Sequence, residues 1–329
     1  MSLVEVLRSF LTIIPDIAVQ AAGIFGHFLF MMLSPLLHLI GLLKTKQFPE
    51  AKTIVITGAS SGIGRELALQ YAGRGKVLGL TGRDKARLEE VAKLCRDKGA
   101  VVETTTIQVT EADAMERWLT KFDQVSPVDI VIANAGVGEA TLPRTLTYEE
   151  RARQVVDVNV NGVLNTVLPL LQRMRDRSHG QIVIVGSLST YITHAFPAYV
   201  GSKGFTHCYA ATLRQELRKH GIGVTYISPG FVDTRMTRAD KNMKKPMMKT
   251  AEASAQAFKQ GISENRAFVT DNLPTMLTAY ILSCVPMTLR DGWDVIMNAV
   301  YSSGCPDTLD YSSNSSSSSS ASSTTKKDK

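Results

Sequence analysis

The chain is poor in cysteine. Its four, Cys95, Cys208, Cys284 and Cys305, are widely scattered with no C-x-x-C pair, which argues against a disulfide framework and against zinc modules. No metal site is expected, and a reducing compartment is the simpler setting. Tryptophan is scarce too, at two residues. No aromatic platform accompanies the basic residues, so the net charge of +7 does not read as nucleic-acid binding. Two stretches lack charge altogether. From Ile17 to Leu43 there is no Asp, Glu, Lys or Arg for 27 residues, and Asn272 to Leu289 is likewise free of them.

The first charge-free run is long enough to cross a bilayer as a tilted helix. The residues after it, Lys44 to Phe48, offer no small-residue cleavage site, so residues 1–47 read as a retained membrane anchor. Lys44, Lys46 and Lys52 follow the run while only Arg8 precedes it, which orients the following domain to the cytosol. Pro35 leaves open a kinked insertion into one leaflet or a lipid-droplet monolayer. The second run, with two prolines, suits a membrane-touching segment or a cap over a pocket, within residues 273–304. Residues 305–329 form a serine-rich tail expected to be disordered. It ends Lys326, Lys327, Asp328, Lys329, which resembles a dilysine signal for return to the endoplasmic reticulum. A glycan at the sequon Asn314, Ser315, Ser316 would place the tail in the lumen and overturn this topology.

Residues 48–272 carry the chemistry. Thr53 to Thr57 (TIVIT) reads as a buried strand running into Gly58, Ala59, Ser60, Ser61, Gly62, Ile63, Gly64 and then a helical run. Strand, glycine loop and helix offer a pyrophosphate main-chain N–H groups and a helix N-terminus with no side chain in the way. A second strand, Lys76 to Thr81, ends in Gly82, Arg83, Asp84, with Arg83 19 residues after Gly64. An arginine there accommodates a 2′-phosphate, so NADP(H) is favoured over NAD(H), with Asp84 keeping NAD open. Helices are expected over 85–98, 111–125, 148–176, 198–220 and 250–262, and strands over 101–109, 129–133, 181–185, 223–228 and 266–270. This alternation predicts a doubly wound parallel α/β sheet of Rossmann type.

Tyr199 and Lys203 stand four residues apart on an expected helix, which puts phenol and ammonium on one face. A nearby cation favours phenolate and should bring the phenol toward working pH.

Together, TGASSGIG (Thr57 to Gly64), NAG (Asn134, Ala135, Gly136), DVNVNG around Asn159, Ser187, the Tyr199/Lys203 pair and PGFVDT (Pro229 to Thr234) resemble the short-chain dehydrogenase/reductase superfamily. The resemblance spans about Thr53 to Met236 and is loosely similar to membrane-associated ketosphinganine reductases and hydroxysteroid dehydrogenases. It implies Tyr199 as general acid or base, Ser187 as donor to the substrate oxygen, Lys203 as ribose-binding cation and Asn159 as holder of a relay water. It also implies that Gln108, Val109, Asn134, Ala135, Gly136, Pro229, Gly230, Val232 and Thr234 border the cofactor, Asn134 more as a brace of the sheet. In two respects the chain departs from the family's usual pattern. Ser187 lies 12 residues before Tyr199 rather than 13, which gives Ser189 a share of the serine assignment, and Gln108 stands where an adenine-binding Asp is common.

Tyr191 and His194 are expected as substrate wall, and Phe231 to Lys249 as a flap holding Met236, Met243, Met247 and Met248. Between Arg235 and Lys259, seven basic residues stand against Asp240 and Glu252, which fits anionic lipid or an anionic ligand. These features lead to a membrane-anchored oxidoreductase of a lipophilic ketone or alcohol; a homodimer is compatible. The rival reading is a membrane or lipid-droplet scaffold with a vestigial cofactor fold.

Overall fold

The computed structural model describes residues 48–191, 196–239 and 244–283, together with Ala18, Ala22, Gly23, Phe25 and Gly26, which are helical. The rest of the expected 1–47 anchor, His194, Met243, residues 284–304 and the 305–329 tail lie outside the described residues. Among those described, no helix is long and apolar enough to cross a membrane.

All five residues of β1 (Thr53–Thr57) are buried. A continuous β-branched run is what a strand covered on both faces requires, and successive side chains divide between the faces. Ile54 and Ile56 join one apolar layer and Val55 the other. The chain continues through α1 (Gly62–Tyr71), β2 (Val77–Thr81), α2 (Lys85–Asp97), β3 (Val101–Thr105), α3 (Ala112–Val125), β4 (Ile130–Ala133), α4 (Tyr148–Val156) and α5 (Gly162–Asp176). It then forms β5 (Gln181–Val185), α6 (Pro197–Arg218), β6 (Gly223–Ile227), β7 (Val232–Asp233), α7 (Arg235–Ala239), β8 (Lys249–Thr250), α8 (Ala251–Ser263), β9 (Phe268–Val269) and α9 (Leu273–Ser283). A seven-stranded sheet runs in the order β3-β2-β1-β4-β5-β6-β9 with parallel pairings, and β7 and β8 pair beside it.

The helices supply the two layers. Leu67 and Tyr71 of α1, Leu88 and Val91 of α2, and Phe258 and Ile262 of α8 pack on the face of Ile54. Leu119 and Phe122 of α3, Leu170 and Met174 of α5, and Leu213 and Leu217 of α6 pack on the other. Phe258 is fully buried, and burial of such a ring contributes on the order of 3 kcal/mol. Strand order reverses at β1, which pairs with β2 on one side and β4 on the other. The crevice above the carboxyl ends of these strands is where such sheets bind ligands.

The structure departs from the expected elements in two places that bear on the site. β3 stops at Thr105 rather than continuing to Val109. Its partner β2 ends at Thr81, so nothing extends the ladder, and the Thr105 hydroxyl accepts the Ile107 N–H and turns the chain away. Gln108 therefore sits in the loop beyond the strand instead of at its end. The single helix expected over 148–176 is interrupted by a π turn, Asp157–Asn161. Such turns insert a residue into the helical ladder and concentrate at functional sites. Here the insertion leaves Asn159 fully buried.

Candidate active site

Above the sheet lies a cleft of ≈ 980 Å³ whose wall begins with Gly58, Ser60, Ser61, Gly62 and Ile63. Ser61 caps α1 in extended conformation without a side-chain hydrogen bond, so the first-turn N–H groups are left for an anion. Gly62 has φ +57, and a Cβ there would lie 3.0 Å from the Thr234 methyl. A Cβ on Gly64 would collide with the Asn134 side chain and the Gly58 carbonyl. Gly64 thus brings helix and strand together behind the cleft rather than lining it. Asn134 holds that junction, donating from Nδ2 to the Thr57 carbonyl at 2.8 Å. These features form a cradle that only glycines permit, which fits a dinucleotide pyrophosphate.

One end of the cleft is basic. Arg83, Lys85, Arg87 and Arg235 line it beside Asp84. Asp84 caps α2 by accepting the Arg87 main-chain N–H at 3.1 Å and its guanidinium at 2.7 Å. Those bonds hold its carboxyl below the usual range. Its acceptor atoms are engaged, whereas Arg83 is exposed to the cleft. Gln108 and Val109 line the flank, as do Asn134, Ala135 and Gly136, and Pro229, Gly230, Val232 and Thr234 close the far wall.

At the opposite end Ser187, Tyr199 and Lys203 come together. Ser187 accepts the Ser189 N–H at 3.1 Å and hydrogen-bonds the Tyr199 phenol. Ser189 itself is not among the cleft residues, and its hydroxyl is buried without a partner. Lys203 is buried at 4% exposure. It donates to the Val185 carbonyl at 2.9 Å, and its Nζ lies 5.7 Å from the centre of the Tyr199 ring.

This geometry corrects the expectation for the phenol. Burial pushes Tyr199 up to about 12; the Ser187 bond opposes the rise, and Tyr226 and Glu139 add to it. Burial pushes Lys203 down to about 8. The i,i+4 spacing puts the ammonium over the ring face, where desolvation of both groups outweighs their attraction.

Asn159 is held from two sides. Its amide donates to the Val137 carbonyl at 2.9 Å and to the Ser202 hydroxyl at 3.0 Å, while its oxygen accepts the Val137 N–H at 2.8 Å. The side chain thereby braces the Val137 loop against α6. Tyr191, expected in the substrate wall, bonds His207 at 3.2 Å and stacks edge-on with it. It is not among the cleft residues. Of the flap methionines described, Met236 reaches the cleft, while Met247 and Met248 are exposed.

Arg235, named in the sequence as part of a basic run, joins the basic end of the cleft. Two site residues escaped the sequence reading: Tyr226 accepts the Ser187 N–H at 3.3 Å from below, and Glu139 accepts the Tyr199 N–H at 3.1 Å. Glu139, three residues after NAG, was the more accessible, as an acid close to that motif.

Residues 52–245 match the short chain dehydrogenase family. The chain belongs to that family. It is 36% identical over 223 residues to an uncharacterized oxidoreductase of Myxococcus xanthus, covering 67% of this chain and 87% of that one. It is 34% identical over 193 residues to an 11-beta-hydroxysteroid dehydrogenase 1A of Arabidopsis thaliana, covering 57% of this chain and 54% of that relative. Among solved structures, a short-chain dehydrogenase from Sphingobium yanoikuyae in complex with NADPH aligns with TM-score 0.61 at 26% identity, over 76% of this chain and 93% of that one. A Burkholderia phymatum short chain dehydrogenase/reductase in complex with NAD shares the fold, with TM-score 0.61 at 22% identity, over 71% and 93%. This short chain dehydrogenase is an NAD(P)-dependent dehydrogenase/reductase.

Proposed function

We propose that the protein is a membrane-anchored, NADPH-preferring reductase of a ketone on a lipophilic sphingoid, steroid or acyl-lipid substrate. The observation that carries the chemistry is the convergence of Ser187, Tyr199 and Lys203 at one end of a glycine-lined cleft. A reduced nicotinamide bound there would supply the hydride. Ser187, whose oxygen already accepts the Ser189 N–H, donates its own proton to the ketone oxygen and stabilises charge developing on it. Tyr199 delivers the proton that makes the alcohol. A phenol held up to about 12 is protonated throughout the physiological range, the form that reduction draws on. Lys203 beside the phenol recharges it and bonds the ribose.

NADP(H) preference is supported by the exposed Arg83 and the engagement of Asp84 with Arg87. In Arg83→Ala, the preference for NADPH over NADH measured by kcat/KM should fall at least about tenfold, an effect near 1.4 kcal/mol. An unchanged preference would remove Arg83 from the 2′-phosphate site.

Lipophilic substrate and membrane contact are supported by one patch. Leu273, Leu277 and Ile281 follow each other at i,i+4 spacing along the outward face of α9, and all are exposed. The Asn272 amide bonds the Met247 carbonyl at 2.9 Å, which joins exposed Met247 and Met248 to that face beside Lys249. Apolar surface with adjoining cations suits an anionic lipid interface. The relative named as a hydroxysteroid dehydrogenase supports the same substrate class. The charge-free Ile17 to Leu43 run supports an anchor, and the lysines that follow it support a domain facing the cytosol.

The full chain in vesicles, given NADPH and a panel of ketones from short soluble ones to long-chain and steroid ones, tests this reading. Turnover should rise with apolar size and depend on Tyr199. Equal turnover of a short soluble ketone would reject the lipophilic assignment, and no turnover of any ketone would favour the scaffold.

A further inference from the structure

The main chain of Tyr199 is held at both ends by side chains, one of them 60 residues away in sequence. α6 begins at Pro197, which has no N–H, and its cap residue Phe196 takes φ 58 and offers no side-chain bond. The first helical bond runs from the Val200 N–H to the Phe196 carbonyl. Ala198 and Tyr199 are therefore the N–H groups left over in the opening turn. Glu139 takes the one that belongs to Tyr199, at 3.1 Å through Oε1. At the other end the Ser202 hydroxyl donates to the Tyr199 carbonyl at 2.7 Å, and Ser202 is itself held by Asn159.

Glu139 is an expensive residue for this task. It is 6% exposed, and its Oε2 is buried with no hydrogen-bond partner. A buried, unsatisfied acceptor is costly, and more so when charged; a Ser or Asp at the cap position would close the helix without it. The favourable field at the N-terminus of the 22-residue α6 offsets part of that cost. Glu139 also stands on a braced support. It opens the Glu139–Thr141 turn, in which the Thr141 hydroxyl donates to the Gly138 carbonyl at 2.7 Å. Just before it, Val137 is bonded through both its N–H and its carbonyl by Asn159.

We propose that Glu139 is a positioning residue for Tyr199: by accepting its main-chain N–H, it fixes the first turn of α6 against the cofactor-lining loop and so sets the phenol against Ser187. This rests on the reading of Tyr199 as proton donor. Asn159 is the common brace, reaching Glu139 through Val137 and the Tyr199 carbonyl through Ser202.

The test uses the full chain with NADPH and the best ketone substrate, comparing Glu139→Ala, Glu139→Gln and Tyr199→Phe with wild type. Glu139→Ala should lose about tenfold to a hundredfold in kcat, with KM for NADPH and ketone changed less than about threefold, as expected when a reacting group is displaced rather than a binding contact removed. Glu139→Gln, whose amide oxygen still accepts the N–H, should recover kcat to within about threefold. A Glu139→Ala kcat within twofold of wild type, or a Glu139→Gln as impaired as Glu139→Ala, would overturn the proposal. Should Glu139→Ala not fold, Glu139→Gln decides alone, with near-wild-type kcat and KM expected and a tenfold kcat loss refuting it. Full activity in Tyr199→Phe would instead reject the proton-donor reading beneath it.

Discussion

Tyr199→Phe should lower kcat by about 10²–10⁴-fold while leaving KM for NADPH within a few fold, the range expected when a positioned proton donor is removed and its surroundings stay. The ring is retained, so packing against Val137, Leu142 and Val155 persists. The main-chain bonds to Glu139 and Ser202 do not involve the hydroxyl. Only the bond to Ser187 and the transferable proton are lost. Melting temperature should therefore move little, which separates a chemical lesion from a structural one. Stopped-flow or steady-state loss of NADPH absorbance reads the rate, and NADPH titration by fluorescence reads binding. A variant that turns over at more than a tenth of the wild-type rate would take Tyr199 out of the proton path.

Lys203→Met should remove comparable activity and yet stabilise the fold near neutral pH. Burial brings the ammonium from 10.5 to about 8, so holding it charged in the folded state costs on the order of 3 kcal/mol. Methionine occupies similar volume without that cost, although it leaves the Val185 carbonyl without its donor, a loss of about 1–2 kcal/mol. The net gain expected at pH 7 is about 1–2 kcal/mol in urea unfolding. Its pH dependence is the sharper readout. The folded pKa lies below the unfolded one, so between about pH 8 and 10 the unfolded wild type binds more protons than the folded, and wild-type stability rises with pH. Methionine binds none, so the variant's advantage should shrink across that window and reverse near its top. A difference that stays constant from pH 7 to 10 would show that Lys203 carries no buried charge. A lysine kept at such expense is a case of stability yielding to function.

The central strand, the glycine loop and the cofactor cleft were legible because each is written locally. Thr53 to Thr57 can be nothing but a strand covered on both sides, and only glycine suits positions 62 and 64. The basic residue after β2 was legible for the same reason. What stayed hidden depends on partners distant in sequence. DVNVN continues a helical pattern, and nothing in it announces the π turn that turns Asn159 inward to Val137 and Ser202. β3 ends where β2 stops pairing, not where its own β-branched residues run out. The spacing of Tyr199 and Lys203 was correct, but the balance between their attraction and their burial could not be read from spacing. Tyr191 looked like substrate wall because of its place in the chain, whereas His207, a turn below Lys203 on α6, claims it. Glu139 was visible as a charge close to NAG, without a clue that it caps a helix 60 residues on.

The reversal of strand order at β1 has a consequence for how the molecule comes into being. The middle of the sheet is a pairing of Ile54 with Ile130, so β1 must wait for β4, made about 75 residues later, before it has neighbours on both edges. Until then its five residues, all buried in the finished sheet, have an open side. Contacts of this sequence separation make folding slow and leave strand edges accessible for longer. The nucleotide cleft straddles the same seam, so it exists only after that late closure. A cofactor can select the finished sheet by mass action, but it cannot template the step that builds it.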